Sequence, residues 1–239
     1  MYRMDERNRR IGDMFSSIAP RYDLLNRLLS LGRDRHWRRQ AVVGTGPEPG
    51  GRHLDVATGT ADVALEILRR KGIESFVVGS DISLEMMRIG REKASVSGKG
   101  GRMAFVLSPG EALPFRDCAF DSASIAFGIR NVVDRERALS EMCRVVRHGG
   151  RIVVLEFSQP EGALFGALYS FYFTRVLPRI GGIVSKRSAY AYLPESVRAF
   201  PSPPVFAGMM RAAGCDAVEY RPLTFGIVTL YVGIRRGRN

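Results

Sequence analysis

Two acidic residues, each closing a short apolar run, carry the first chemical signal in this chain. Asp55 follows HL in HLDV, and Asp81 ends VVGSD. Between them the stretch A-T-G-T-A-D, residues 57–62, turns tightly at Gly59 and enters a helical pattern that begins at Ala61 or Asp62. Such a loop lets a ligand approach the main chain, and the helix behind it offers free backbone N–H groups. Dinucleotide loops read G-x-G-x-x-G because a pyrophosphate lies against the backbone. Here A-T-G-T-A-D fails that pattern twice, with Ala57 and Asp62 at the first and last glycine positions, so NAD is disfavoured and a nucleoside ligand without a pyrophosphate is preferred. An acid at the end of the second strand commonly accepts hydrogen bonds from both ribose hydroxyls, which gives Asp81 a role. Gly59 would give the close approach, Thr60 a hydroxyl contact, and Asp55 support for the loop or for a ligand amino group. A plainer reading makes Asp81 the N-cap of the helix beginning ISLEMM and Asp55 a loop brace.

The elements that must position these residues follow a regular order. Strands are expected near 52–57, 76–81, 103–107, 121–127, 150–157, 216–221 and 225–233, with helices near 61–71, 83–97, 135–147 and 203–213. Early alternation of strand and helix predicts a doubly wound, mostly parallel α/β sheet of seven strands. The last two runs, DAVEYRP and FGIVTLYVGI, are separated too narrowly for a crossover helix and should form an antiparallel hairpin. This divides the chain into a helical N-terminal cap (1–45), a ligand-binding half (46–158), an insertion or lid (159–202), and a closing helix and hairpin (203–239), all within one domain. Both the cap and the insertion can cover the crevice at the carboxyl ends of the strands.

Composition narrows the function classes. With 239 residues, 45% of them hydrophobic, the chain can bury a full core. No stretch of eighteen residues lacks a charge, and MYRMDERNRR has no signal-peptide character, so a cytoplasmic, non-spanning protein is expected. Cys118, Cys143 and Cys215 stand far apart without partners at metal spacing, and the histidines are His36, His53 and His148. Neither a disulfide framework nor a metal site is expected. The net charge of +12 draws the protein toward something anionic, be it nucleic acid, phospholipid or an acidic ligand.

Taken together, the loop, the strand-end acid and the closing hairpin resemble the class I S-adenosylmethionine-dependent methyltransferases. More narrowly, the chain resembles the ubiquinone/menaquinone biosynthesis C-methyltransferases, which methylate a ring carbon of a polyprenylated quinol. MFSSIAPRYDLLNRLLSLGRDRHWRR resembles that family's first signature, with Tyr22, Asp23, Asn26, Ser30 and Trp37 in register, and RVVRHGGRIVVLEFS resembles its second. EALPF, FGIRNV, YAYLPESVRAFP and LTFGIVTLYVG match in the expected order, so the likeness covers essentially the whole chain.

The resemblance implies S-adenosylmethionine as cofactor, held by Asp55, Ala57, Gly59, Thr60, Asp81, Ile82, Pro109, Gly110, Glu111 and Ala126. It also implies departures. Pro109 stands where the family usually has a small polar or acidic residue for the adenine edge, so a backbone group near Gly110 and apolar packing must suffice. Ala126 replaces a common serine, and Arg147-His148 replace lysine-proline; these changes are expected to affect ligand affinity more than reaction type.

The chemistry such a reaction requires is simple. Loss of a hydroxyl proton makes a quinol ring carbon nucleophilic toward a sulfonium methyl, and catalysis comes from orientation and phenolate stabilisation in a dry pocket. Arg130 and Asn131 follow the fourth strand, where the acceptor sits in this class. Arg130 is the candidate oxyanion stabiliser, with structural pairing to Asp134 or Glu156 as the alternative. Tyr22 and Asp23 suggest a lid over the cofactor, or else a staple and N-cap. His36 is the weaker candidate for a base. The aromatic run 163–184 lines a tail passage or packs in the core, and Tyr190, Tyr192 and Glu195 are expected at the acceptor pocket.

The expected acceptor is demethylmenaquinol ahead of the ubiquinone-pathway benzoquinol, with RNA or another small molecule as the rival for the same fold. Arg3, Arg7, Arg9, Arg10, Arg33, Arg35, Arg38 and Arg39 would meet anionic headgroups at the inner face of the membrane. A nucleic-acid partner is not expected, since no motif of stacked aromatics and basic residues supports one. Self-association into a homo-oligomer is left open.

Overall fold

The computed structural model describes residues 6–46, 50–159 and 194–237. Three N-terminal helices, α1 (Glu6–Ile18), α2 (Tyr22–Leu29) and α3 (Asp34–Gly44), precede the sheet. The sheet strands are β1 (Gly51–Val56), β2 (Ser75–Asp81), β3 (Met103–Leu107), β4 (Phe120–Ala126), β5 (Val146–Phe157), β6 (Cys215–Leu223) and β7 (Val228–Arg235). Helices α4 (Asp62–Arg70), α5 (Leu84–Val96) and α6 (Arg135–Val145) alternate with the first five strands, and α7 (Pro203–Ala212) precedes the closing hairpin.

The strand order is β3-β2-β1-β4-β5-β7-β6, parallel from β3 to β5 and antiparallel at β5–β7 and β7–β6. Central β5 is covered on both faces: Ile152, Val153, Val154 and Leu155 have no exposed surface. That explains its continuous apolar run, as distinct from an alternating one. Edge strand β6 keeps one side to solvent and carries Pro222, which an edge tolerates. Chain direction splits between β1 and β4, neighbours in the sheet but separated in sequence by β2 and β3. At such a switch point the loops on either side diverge and leave a crevice.

The expected strands and helices all form, with shifts at their ends. β5 starts at Val146, before the expected 150, and β7 starts at Val228, because Thr224, Phe225 and Gly226 take left-handed backbone in the hairpin turn. Two cysteines far apart in the sequence come together: Cys143 on α6 and Cys215 on β6 are free thiols with their Sγ atoms 3.3 Å apart. Trp37 packs against Phe127 and Phe157, and its indole N–H donates to Thr224 Oγ1 at 2.8 Å. This bond ties α3 to the hairpin turn. No described helix is long and apolar enough to cross a membrane.

Candidate active site

The crevice at the switch point is a cleft of about 640 Å³, counting its solvent-open part. Strand ends supply Val56, Asp81 and Ala126; the loops behind them supply Ala57, Gly59, Ile82, Ser108, Gly110, Glu111 and Phe127 to Val132 in part. Asn8, Ile11 and Phe15 of α1 and Tyr22 of α2 also line it. A smaller, more polar compartment of about 320 Å³ shares Tyr22, Ala57, Gly59 and Ala126 with it and adds Arg38, Asp55, Thr58, Thr60 and Asp62.

The loop's missing glycines are resolved by its neighbours. Ala57, Gly59 and Ala61 all adopt left-handed backbone, with φ of 50°, 55° and 67°. Only glycine does so freely, and each alanine costs roughly 1–2 kcal/mol. Their methyl groups are accommodated by glycines placed opposite. A Cβ on Gly128 would come within 2.7 Å of the Ala57 Cβ, and one on Gly90 within 2.9 Å of the Ala61 Cβ. Gly79 likewise leaves room for Thr58, whose Cγ2 would lie 2.8 Å from an added Cβ. The close approach is thus shared between the loop and its surroundings.

Asp81 joins the two halves of the cleft floor. One oxygen accepts from the Gly59 N–H and the other from the Ser83 N–H, both at 2.8 Å. Ser83 is the actual N-cap of α5, so the plain capping role does not fall to Asp81. Burial pushes the Asp81 pKa up, against the pull of these N–H groups and that of Ile82. Asp55 is braced by the hydroxyls of Thr58 at 2.7 Å and Ser124 at 2.8 Å. Burial outweighs these bonds and pushes its pKa up to about 6.

Asp23 reaches the loop as well. It accepts from Thr60 Oγ1 at 2.6 Å and from Lys93 Nζ at 2.9 Å, tying α2 to the loop and to α5. Arg21 occupies the N-cap position of α2, so Asp23 serves as a tether. Lys93 also pairs with Asp62, which Arg38 approaches at 3.2 Å. Burial opposes the Asp62 carboxylate, but Arg38 and Lys93 prevail and hold its pKa below the ordinary value. Thr60's hydroxyl is therefore engaged with Asp23, while Arg38, grouped by sequence with the headgroup arginines, is 7% exposed and paired with Asp34 and Asp62. Its place is the wall of the polar compartment.

Other expected residues divide between the cleft and its frame. Asn131 lines the cleft, and its Oδ1 has no partner among the described residues. Arg130 does not line it; its Nη1 donates to Glu156 Oε1 and to the Phe127 carbonyl, both at 2.7 Å. The pairing alternative for Arg130 is the one observed. Glu111 lines the cleft but accepts from the Val133 N–H at 3.1 Å, fixing the turn that leads into α6.

Pro109 is not a lining residue, whereas Gly110 is, as is Ser108, whose buried hydroxyl has no partner among the described residues. Arg147 pairs with Asp121 at 2.8 Å and His148 meets the Arg236 carbonyl, and neither residue lines the cleft. His36 is exposed on α3, and Glu195 is exposed in the helical stretch 194–198. Tyr190, Tyr192 and the aromatic run 163–184 lie outside the described residues.

An apolar compartment beside a strand-end acid, joined to a polar compartment with a carboxylate and an arginine, suits a nucleoside carrying an amino-acid arm. The unpartnered Ser108 and Asn131 oxygens leave polar contacts for it to satisfy. Residues 3–235 match the model of the ubiE/COQ5 methyltransferase family. The chain belongs to that family.

Members of the ubiE/COQ5 family at high identity agree over nearly the full length. The "Ubiquinone/menaquinone biosynthesis C-methyltransferase UbiE" of Geobacter sulfurreducens is 55% identical, covering 98% of this chain and 91% of that protein. The "Demethylmenaquinone methyltransferase" of Thermus thermophilus is 51% identical, covering 93% of this chain and 100% of its own. A SAM-dependent methyltransferase from Thermotoga maritima shares the fold with a TM-score of 0.65 at 19% identity, covering 95% of this chain and 100% of the other. This ubiE/COQ5 chain is a methyltransferase that uses S-adenosylmethionine.

The apolar compartment brings together Asp81, the Gly59 backbone and Ser108, and the polar one Asp55 and Arg38. Sequence reading missed Arg38, Asn8, Ile11, Phe15 and Ser108. The helical spacing of Ile11 and Phe15 was the available signal for two of them.

Proposed function

We propose that this chain methylates a ring carbon of a polyprenylated quinol, with demethylmenaquinol as the first acceptor and the ubiquinone-pathway benzoquinol as the second. The observation that carries this reading is the near full-length likeness to quinone-biosynthesis methyltransferases, including one named for demethylmenaquinone alone. S-adenosylmethionine, when bound, supplies an electrophilic methyl group on its sulfonium.

The chain's own residues provide orientation and dryness. Both Asp81 oxygens keep lone pairs beyond the N–H groups they already accept, which leaves them able to receive hydroxyl donors. Ile11, Phe15, Phe127 and Val132 give the cleft an apolar wall that excludes water from an aromatic acceptor. Asn131, on the turn after β4, offers its unpartnered Oδ1 to a quinol hydroxyl and fixes the ring's rotation. Tyr22 packs between the two compartments, and Asp23 holds it there through Thr60 and Lys93. Arg130 acts one step removed, by neutralising Glu156 beneath the same turn. Tyr190, Tyr192 and Glu195 remain the acceptor contacts that the family motif suggests.

The tail of the acceptor puts the reaction at a bilayer. The charge of +12 supports reversible peripheral attachment to an anionic membrane from the cytoplasmic side. The test is transfer of label from methyl-labelled S-adenosylmethionine into reduced demethylmenaquinone or its benzoquinol counterpart. Label in the naphthoquinol product, in excess of the benzoquinol product, is expected.

A further inference from the structure

Helix α2 presents two unlike faces. Tyr22 turns toward the cleft and Leu25 is 3% exposed, whereas Leu24 and Leu28 are 55% and 44% exposed. Spacing of i and i+4 places Leu24 and Leu28 one above the other. Leu31, in the turn just past the helix, extends the ridge and is 85% exposed. It is held outward by left-handed backbone, φ 50°, a conformation that a leucine adopts at a cost and that burial does not repay here. Arg27, Arg33 and Arg35, all exposed, flank the ridge.

Folding gains nothing from three aliphatic side chains set in water on one short segment. Aliphatic residues standing out between arginines are the chemistry of an interfacial element: the apolar groups enter the boundary between headgroup and acyl chain while the guanidinium groups meet lipid phosphates. A nucleic-acid surface would place aromatic rings among the basic residues, and this ridge has none. Position supports the same partner. Asp23, between Tyr22 and Leu24, is bonded to Thr60 and Lys93, so the ridge is tied to the loop that lines the cleft.

We propose that Leu24, Leu28 and Leu31, with Arg27, Arg33 and Arg35, form the surface by which the protein docks on an anionic bilayer, holding the cleft mouth against the lipid. The purpose assigned to this surface, delivery of a lipid-tailed acceptor, rests on the proposed function, but its binding does not.

The full chain is sedimented with phosphatidylcholine vesicles and with vesicles containing phosphatidylglycerol, at low and high salt. Binding to the anionic vesicles that fades at high salt is expected. L24S/L28S/L31S should lower that partition about tenfold or more, and R27Q/R33Q/R35Q should abolish the difference between the two lipids. Unchanged circular dichroism and thermal melts of both variants confirm that the fold is intact. A short-tailed quinol dispersed without lipid should still be methylated at the unmodified rate by the leucine variant. Wild-type binding by the leucine variant would overturn the proposal, as would no vesicle binding at low salt. So would loss of a dimer in the leucine variant, or new protection changes in residues 160–193 on hydrogen exchange, which would assign the ridge to a second copy or to the chain itself. Should the acceptor reading fail, methyl transfer is lost from every protein while vesicle binding persists, so the two failures are distinct.

Discussion

At the scale of residues, the lesson of the cofactor loop is that space can be provided from outside. Ala57 faces Gly128 and Ala61 faces Gly90, so each pair contains one methyl group where two would collide. Gly128→Ala is expected to weaken S-adenosylhomocysteine binding and to destabilise the protein by roughly 1–3 kcal/mol through overpacking. Adding Ala57→Gly should recover most of both losses, measured by calorimetric titration and denaturant melts as a double-mutant cycle. Additive losses would contradict the pairing. None of this was legible in the sequence, because Gly128 and Ala57 are brought together only by adjacent strands. What was legible was Asp55 and Asp81, since strand-end acids announce themselves beside apolar runs.

Asp55 also sets a pH dependence. Its folded pKa of about 6 lies above the ordinary 3.8, so between these values the folded state binds more protons than the unfolded. The contribution of Asp55 to stability is complete at low pH and declines as pH rises through that window, levelling above 6. An ionised Asp55, able to pair with the ammonium group of the ligand as proposed, appears over the same range. Affinity for S-adenosylhomocysteine should rise from pH 5 to pH 7 with an inflection near 6, and Asp55→Asn should remove that inflection.

At the scale of elements, the turn after β4 is fixed by its bond to β5. Arg130 and Glu156 are 9% and 0% exposed in their side chains, so removing one partner leaves a buried charge. Arg130→Met is expected to lower stability by about 3–5 kcal/mol, and Arg130→Met with Glu156→Leu to restore much of it. A large fall in kcat with an unchanged melting temperature would instead assign Arg130 to the acceptor's oxyanion. From sequence both roles were open, because a residue just past a strand can turn to either side. Periodicity located the seven described strands and the four helices expected among them to within a few residues, since apolar runs and helical stripes are local properties. It misplaced the start of β7, where Phe225 and Ile227 look like strand residues but Gly226 commits the chain to a turn. It also could not foresee that Asp23 would be a tether, because Thr60 and Lys93 are distant in sequence.

At the scale of the molecule, the sheet order, the capped cleft and the whole-chain family match converge on one activity. The N-terminal helices serve two ends: α1 and Tyr22 line the cleft, and the exposed side of α2 carries Leu24 and Leu28. The charge of +12 was read from composition, but its distribution was not; Arg38 faces inward, while Arg33 and Arg35 remain outside. Sequence named the reaction through motifs, and the structure explains how a loop with one glycine can serve it. The central claim is tested most directly by incubating purified protein with methyl-labelled S-adenosylmethionine and reduced demethylmenaquinone, with the benzoquinol counterpart in parallel. The account predicts label on the ring of the naphthoquinol product; no label in either product would contradict it.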